Sequence, residues 1–284
     1  MPHSVGRRVA IIGMGRIGTA IARGYLLAGA SPEDLIGTVK RAESVERVKA
    51  QVPIRVTTDN SAAADADVVV LAVKPRQAFE VLEEIKPSLG PDQLMISVVA
   101  GVPLQAMEGL IPCRIIRAMP NIGIIKSRGV TVISKGIRAS DDDVNETCGV
   151  FKSLGKCYVM DESYMNAVTS LSGSGPAFIA MVMDAMQEAG VLIGLPSDIS
   201  WMLVMDTLES TLELLRDYEP ASLMRSVATP GGVTINGIWR GEERGLRGTI
   251  MDMIEATNRK GAEISRELME ELKRYIGEEL GSRR

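Results

Sequence analysis

Short runs rich in Val, Ile and Leu recur along the first 160 residues, at 8–12, 35–39, 54–57, 68–73, 94–99, 114–118, 130–134 and 158–160. Amphipathic helical stretches separate them. Strands that alternate with helices predict a mostly parallel sheet covered on both faces. One of the helices has a clear start, because Ser140 offers a hydroxyl cap and Asp141, Asp142 and Asp143 place acids in the first turn.

After Asp161 the strand-like runs stop. Helical patterns rich in Met, Leu and Glu follow at 164–171, 177–193, 197–217 and from 246 to about 280, with breaks at Leu195-Pro196, Glu219-Pro220 and Thr229-Pro230-Gly231-Gly232. The pattern predicts an α/β chain with a doubly wound domain over 1–161 and an all-helical domain over 162–284, without repeats or a long linker. Residues 281–284 are expected to be mobile. The stretch Ala177-Phe178-Ile179-Ala180-Met181-Val182-Met183 has hardly any polar face. Such a helix is buried within its own bundle or against another chain, and the small size of the domain favours a subunit interface.

Composition narrows the function. With 32 Lys and Arg against 36 Asp and Glu, the net charge of −4 gives no basic footprint for nucleic acid. The longest apolar stretch is interrupted by Asp184, Gln187 and Glu188, so no membrane span is expected. The N-terminus lacks the apolar core of a signal peptide. Cys113, Cys148 and Cys157 are odd in number and widely spaced, which suggests reduced thiols in a cytoplasm and no metal site. The single histidine is His3, in a tail expected to fray, so a mechanism built on an imidazole acid or base is nearly excluded.

The clearest chemical signal is Gly13-Met14-Gly15-Arg16-Ile17-Gly18, placed between a strand and a helix. Gly13 permits a tight turn, Gly15 lets the backbone approach a pyrophosphate, and Gly18 permits close packing of helix on strand. Phosphates would meet the unpaired N–H groups at the helix start. The next strand ends near Lys40-Arg41, with no acid before Glu43. A dinucleotide without a 2′-phosphate normally meets an Asp or Glu there, whereas a basic pair suits the 2′-phosphate of NADP(H). The later strand ends at Ala72-Val73-Lys74-Pro75, Val99-Ala100-Gly101 and Met119-Pro120-Asn121 should line the nicotinamide side, because ligands of open α/β sheets bind beyond the carboxyl ends of the strands.

In the helical half, Thr229 reads as an N-cap and Pro230 as the first helical residue of a new helix. Gly231 and Gly232 would each cost about 1 kcal/mol inside a helix. That cost implies either an anion at free N–H groups or the close approach of another helix.

These segments, with Ser172-Gly173-Ser174-Gly175-Pro176-Ala177, stand in the order and approximate spacing of the pyrroline-5-carboxylate reductases, which the chain resembles from about residue 8 to 270. The resemblance implies a Rossmann-type domain with a helical dimerisation domain, often in higher oligomers, and an active site shared between one subunit's cofactor and its partner's helices. It implies that Thr229, Gly231, Gly232, Val233 and Ser172 contact the substrate and that Thr234 lies near the ring nitrogen as the catalytic residue. It also implies that Asn60, Ala72, Val73, Lys74, Pro75, Val99, Ala100, Gly101 and Asn121 join the glycine loop, Lys40 and Arg41 in contacting NADPH, with NADH as a substitute. The implied reaction is NADPH-dependent reduction of 1-pyrroline-5-carboxylate to L-proline. It suits a chain without a usable histidine, since a cyclic imine arrives protonated and the protein has mainly to orient it. The chain departs from the family at Thr229 (usually Ser), Val233 (usually Thr), Glu219 (usually His) and Arg225 (usually Asp). The Arg225 reversal keeps a different cyclic imine acid open as the substrate, and a non-catalytic NADP-binding regulator is the alternative from another class.

Overall fold

A computed structural model describes residues 6–282, with side chains described through residue 271. His3, Arg283 and Arg284 lie outside the described residues. Eight strands form one sheet: β1 (Val9–Ile12), β2 (Leu35–Thr38), β3 (Arg55–Thr57), β4 (Val68–Leu71), β5 (Leu94–Ser97), β6 (Arg114–Pro120), β7 (Gly129–Lys135) and β8 (Gly155–Val159), in the order β3-β2-β1-β4-β5-β6-β7-β8. All neighbours are parallel except β6 and β7, which pair antiparallel. β1 aligns Ile12 with Thr38 of β2 on one side and with Leu71 of β4 on the other. The chain changes direction across the sheet at β1, which is where open sheets of this kind open a crevice at their carboxyl ends.

The apolar runs have a direct cause. Val9 and Ile11 pack on one face with Ile21, Tyr25, Phe151 and Leu154, while Ala10 and Ile12 pack on the other with Leu82, Ile85 and Met107. Strands buried on both faces show no polar alternation. The covering helices are α1 (Arg16–Leu27), α2 (Glu43–Lys49), α3 (Ala78–Ile85), α4 (Leu104–Leu110) and α5 (Asp141–Lys152). Ser140 caps α5 as its sequence predicts, in a reciprocal arrangement. Its hydroxyl accepts from Asp143 N at 3.1 Å, and Asp143 Oδ2 accepts from Ser140 N at 2.7 Å. β8 starts at Gly155, three residues before the expected 158, because Gly155 pairs in register with Gly129.

The remaining helices are α6 (Met165–Val168), α7 (Gly175–Leu192), α8 (Ser197–Leu214), α9 (Pro220–Val227), α10 (Val233–Glu243) and α11 (Leu246–Ser282). Between α6 and α7 the backbone forms a π turn over Thr169–Gly173. Pro220 opens α9, with Glu219 as its N-cap. The chain groups into two compact units, one running up to Gly173 and resuming at Asn258, the other Ser174–Thr257. In the first, the later part of α11 packs on the sheet domain, and Ile264 and Leu268 cover Gly101. In the second, α7 lies on α8, and Ser200 Oγ donates to Gln187 O at 2.8 Å.

Part of α7 remains an exposed apolar face: Ile179 and Met181 are more than half exposed. The three cysteines are free thiols. Cys148 and Cys157 place their sulfurs 3.3 Å apart, and burial together with this neighbour pushes the Cys157 thiol up. Among the described residues, no helix is long and apolar enough to cross a membrane, and no cluster of three His, Cys, Asp or Glu side chains could hold a metal ion.

Candidate active site

The glycine loop follows directly from β1. Gly13 has φ +97°, a left-handed conformation that favours glycine. Its N–H and that of Met14 both donate to Thr38 O, at 3.2 and 2.9 Å, which ties the loop to the end of β2. A Cβ on Gly13 would meet Ala72 O at 2.6 Å, and one on Gly18 would meet Gly13 O at 2.3 Å. A Cβ on Gly15 would meet nothing within 4 Å. Two of the three glycines therefore let protein approach protein, and the third leaves the space above the loop open. Gly15 is the N-cap of α1 and makes no side-chain cap. The N–H groups of Arg16, Ile17 and Gly18 have no helical acceptor there, and the positive end of the helix faces the same space. This is a seat for a phosphate, so the residues present fit a dinucleotide.

A groove of about 540 Å³ extends from the loop. It gathers Gly13, Met14, Gly15, Lys40, Arg41, Asn60, Ala72, Val73 and Lys74, nine of the residues singled out from the sequence. The cations stand where β2 ends and at the start of α3's approach, and the acids Glu80 and Glu84 of α3 line the same groove. Arg41 pairs with Glu43 at 3.2 Å, but both side chains are largely exposed, so the pair is weak and a phosphate can displace it.

The other cofactor residues expected from the sequence, Arg16, Ile17, Gly18, Pro75, Val99, Ala100, Gly101 and Asn121, are not part of this groove's lining. Arg16, Ile17 and Gly18 form the first turn of α1, just past the loop. Val99 is buried in the face of the sheet covered by Met107. The Asn121 carbonyl oxygen accepts from Gly123 N and Val130 N, both at 3.1 Å, so it holds the β6–β7 turn. Sequence reasoning missed Ser44, Arg47 and Gln77, which also line the groove. Ser44 and Arg47 stand three residues apart on α2, hence on one helix face, and that spacing after Lys40-Arg41 is the signal that was available.

The Thr229–Thr234 segment differs from its expected local structure. α10 opens at Val233 with Gly232 as N-cap, so Thr229 is not the cap and Pro230 is not the first helical residue. Gly231 has φ +65°, and Gly232 N donates to Thr229 O at 3.0 Å. A tight turn thus precedes the helix, and the glycines serve the turn. Thr229 Oγ1 fills the space where a Gly232 Cβ would stand. The first N–H groups of α10, from Val233 onward, lack helical acceptors, and the exposed Thr234 hydroxyl stands beside them. Ser172 is half-buried in the π turn, a backbone form frequent at functional sites.

Comparison with known proteins places these features in context. The family described as pyrroline-5-carboxylate reductase dimerisation matches residues 162–264, and one described as coenzyme F420-dependent NADP oxidoreductase matches residues 8–101. A pyrroline-5-carboxylate reductase of Methanosarcina acetivorans is 33% identical over 266 residues, 92% of this chain and 98% of that protein. Among solved structures, a Plasmodium falciparum pyrroline carboxylate reductase with NADP bound has TM-score 0.84 and 25% identity, covering 92% of this chain and 98% of its own. A pyrroline-5-carboxylate reductase of Coxiella burnetii has TM-score 0.81 and 29% identity, covering 91% and 98%. Identity of 33% over nearly the whole length of both chains, with the dimerisation family matched over residues 162–264, establishes that the chain belongs to the pyrroline-5-carboxylate reductase family.

Proposed function

We propose that this chain reduces 1-pyrroline-5-carboxylate to L-proline with NADPH, in the cytoplasm and as a homo-oligomer. The carrying observation is the groove that runs from the open space above Gly15 to Lys40, Arg41 and Arg47. The first N–H groups of α1 would hold the pyrophosphate, and Lys40, Arg41 and Arg47 would hold the 2′-phosphate. Bound there, the nicotinamide supplies the hydride. Ala72, Val73 and Lys74, at the end of β4, border the dinucleotide, and Val99, Ala100, Gly101 and Asn121 belong to the strand ends on its nicotinamide side. The imine carboxylate is held by the free N–H groups after Gly231 and Gly232, with Val233 supplying backbone, and Thr229 and Ser172 are assigned to substrate binding by the family resemblance. Thr234 hydrogen-bonds the ring nitrogen, and because the imine arrives protonated no strong acid is needed. The exposed apolar face of α7 favours burial against a second copy, and three free thiols suit a reducing compartment. The boundary between the two functional domains falls in this reading at 161/162.

The test is NADPH oxidation by the purified protein with 1-pyrroline-5-carboxylate, and with 1-piperideine-2-carboxylate in parallel. Turnover of the pyrroline supports the reading. Turnover of the six-membered ring alone moves the substrate to another imine, with Arg225 of α9 as the first residue to revert to Asp. Cofactor binding without any turnover makes the chain a regulator.

Two substitutions divide the roles. Arg41→Ala weakens NADPH about tenfold and leaves NADH unchanged, the loss of one charge-assisted contact to the 2′-phosphate; equal weakening of both would remove that assignment. Thr234→Ala lowers kcat/KM for the imine about tenfold through one lost hydrogen bond, with NADPH affinity unchanged. A parallel loss of cofactor binding would show Thr234 to be misplaced.

A further inference from the structure

Asn60 stands at the start of a 3-10 turn, Asn60–Ala63, and lines the groove between Thr38 of β2 and Glu84 of α3. Its Oδ1 accepts from Thr38 Oγ1 at 2.7 Å, and its Nδ2 donates to Glu84 Oε2 at 2.9 Å. The two partners are not equivalent. A threonine hydroxyl donates or accepts, so Thr38 suits either orientation of the amide, whereas an ionised carboxylate only accepts. Turned the other way, Asn60 would set its carbonyl oxygen against the Glu84 carboxylate. Glu84 therefore decides which way the amide points. One of the two Nδ2 hydrogens is used by Glu84, and the other remains for a ligand in the groove.

We propose that Glu84 is a positioning residue for the dinucleotide, fixing Asn60 so that it donates a hydrogen bond to an oxygen of the adenosine ribose or its 2′-phosphate. The proposal rests on the use of this groove for NADPH. A second effect runs against it: the Glu84 charge itself repels a phosphate that Lys40, Arg41 and Arg47 attract. The two effects have opposite signs, so the direction in which Glu84→Ala moves NADPH affinity shows which of them prevails. Glu84 is exposed on α3 and its side chain is not part of the core, so its removal leaves the fold intact.

The experiment is a fluorescence titration of NADPH into the wild-type chain, Glu84→Ala, Glu84→Gln, Asn60→Ala and the double variant Asn60→Ala/Glu84→Ala. Glu84→Ala raises the NADPH Kd about fivefold, the value of one partly exposed hydrogen bond. Glu84→Gln raises it less, because the amide keeps an acceptor for Asn60 while losing the power to forbid the flipped pair. In the Asn60→Ala background the Glu84 substitution has no further weakening effect, since its partner is gone. The thermal midpoint of Glu84→Ala without ligand stays at the wild-type value, so a rise in Kd reports binding and not loss of fold. Equal or tighter binding by Glu84→Ala would mean that charge repulsion is the whole effect and would overturn the proposal, as would full additivity in the double variant. A wild-type chain that does not bind NADPH would end this proposal and the functional reading together, whereas normal wild-type binding with an unaffected Glu84→Ala would end this one alone.

Discussion

Gly15→Val leaves the protein folded and weakens NADPH at least about a hundredfold, whereas Gly18→Ala, a smaller change three residues on, damages the fold. Gly15 has φ −79° and ψ −164°, a backbone any residue adopts, and no atom lies within 4 Å of a Cβ placed there. A side chain at Gly15 therefore strains nothing in the chain. It fills the space through which a pyrophosphate must come to reach the N–H groups of α1. Displacing that group forfeits two or more charge-assisted hydrogen bonds, each worth about 1.5–3 kcal/mol. Gly18 is the reverse case, since its Cβ would stand 2.3 Å from Gly13 O, a backbone atom that cannot turn aside. α1 has to move off β1, and overpacking of this kind costs about 3 kcal/mol. The gain of about 1 kcal/mol in helix propensity from Gly to Ala leaves a net loss of about 2 kcal/mol. Urea unfolding and NADPH titration of both variants check the pair. Normal NADPH affinity in Gly15→Val would remove the pyrophosphate from the loop, and wild-type stability in Gly18→Ala would remove the close contact between α1 and β1.

The same glycine loop shows why much of this protein is legible in its sequence. Its signal is local: strand, turn and helix follow within a dozen residues, and Gly18 answers to Gly13 within that span, although Gly13 itself also makes room for the distant Ala72. The sheet is legible for another reason, because β1 and β4 are buried on both faces and carry unbroken apolar runs. The start of α10 shows the limit. A Thr-Pro pair satisfies the rules for a helix start at Thr229, but the left-handed Gly231 closes a turn first and shifts the helix to Val233. Two local rules competed, and only the backbone angle separates them. Asn121 shows a related ambiguity, since a short amide at a strand end serves a ligand or a turn equally well; its carbonyl oxygen here accepts from Gly123 N and Val130 N. Glu84 reaches the groove from a helix whose position depends on packing across the sheet, which periodicity alone does not reveal. The pairing of Arg117 with Glu162, 45 residues apart, was equally invisible.

That pairing carries the second large effect. Arg117 sits in the middle of β6, 3% exposed, on the sheet face that also holds α4. Its Nη1 donates to Glu162 Oε1 at 2.8 Å, and the same oxygen accepts from Leu104 N, at the start of α4, at 2.7 Å. One carboxylate thus joins β6, α4 and the short turn after β8. The partners differ in exposure, for the Glu162 side chain is 28% accessible and that of Arg117 only 4%. Glu162→Ala strands a buried guanidinium whose Nη2 has no hydrogen-bond partner among the described residues, and it also deprives Leu104 N of its acceptor. The expected loss is about 3 kcal/mol, the lower part of the range for breaking a buried pair, because Glu162 keeps some contact with water. Arg117→Met costs much less, about 1 kcal/mol. It removes the buried charge, fills similar volume with an apolar chain, and leaves Glu162 hydrated and still bonded to Leu104 N. Urea unfolding of the two variants reads this asymmetry directly. Equal losses would mean that the pair acts as an ordinary mutual ion pair, and a larger loss for Arg117→Met would mean that Arg117, not Glu162, is the member the structure depends on.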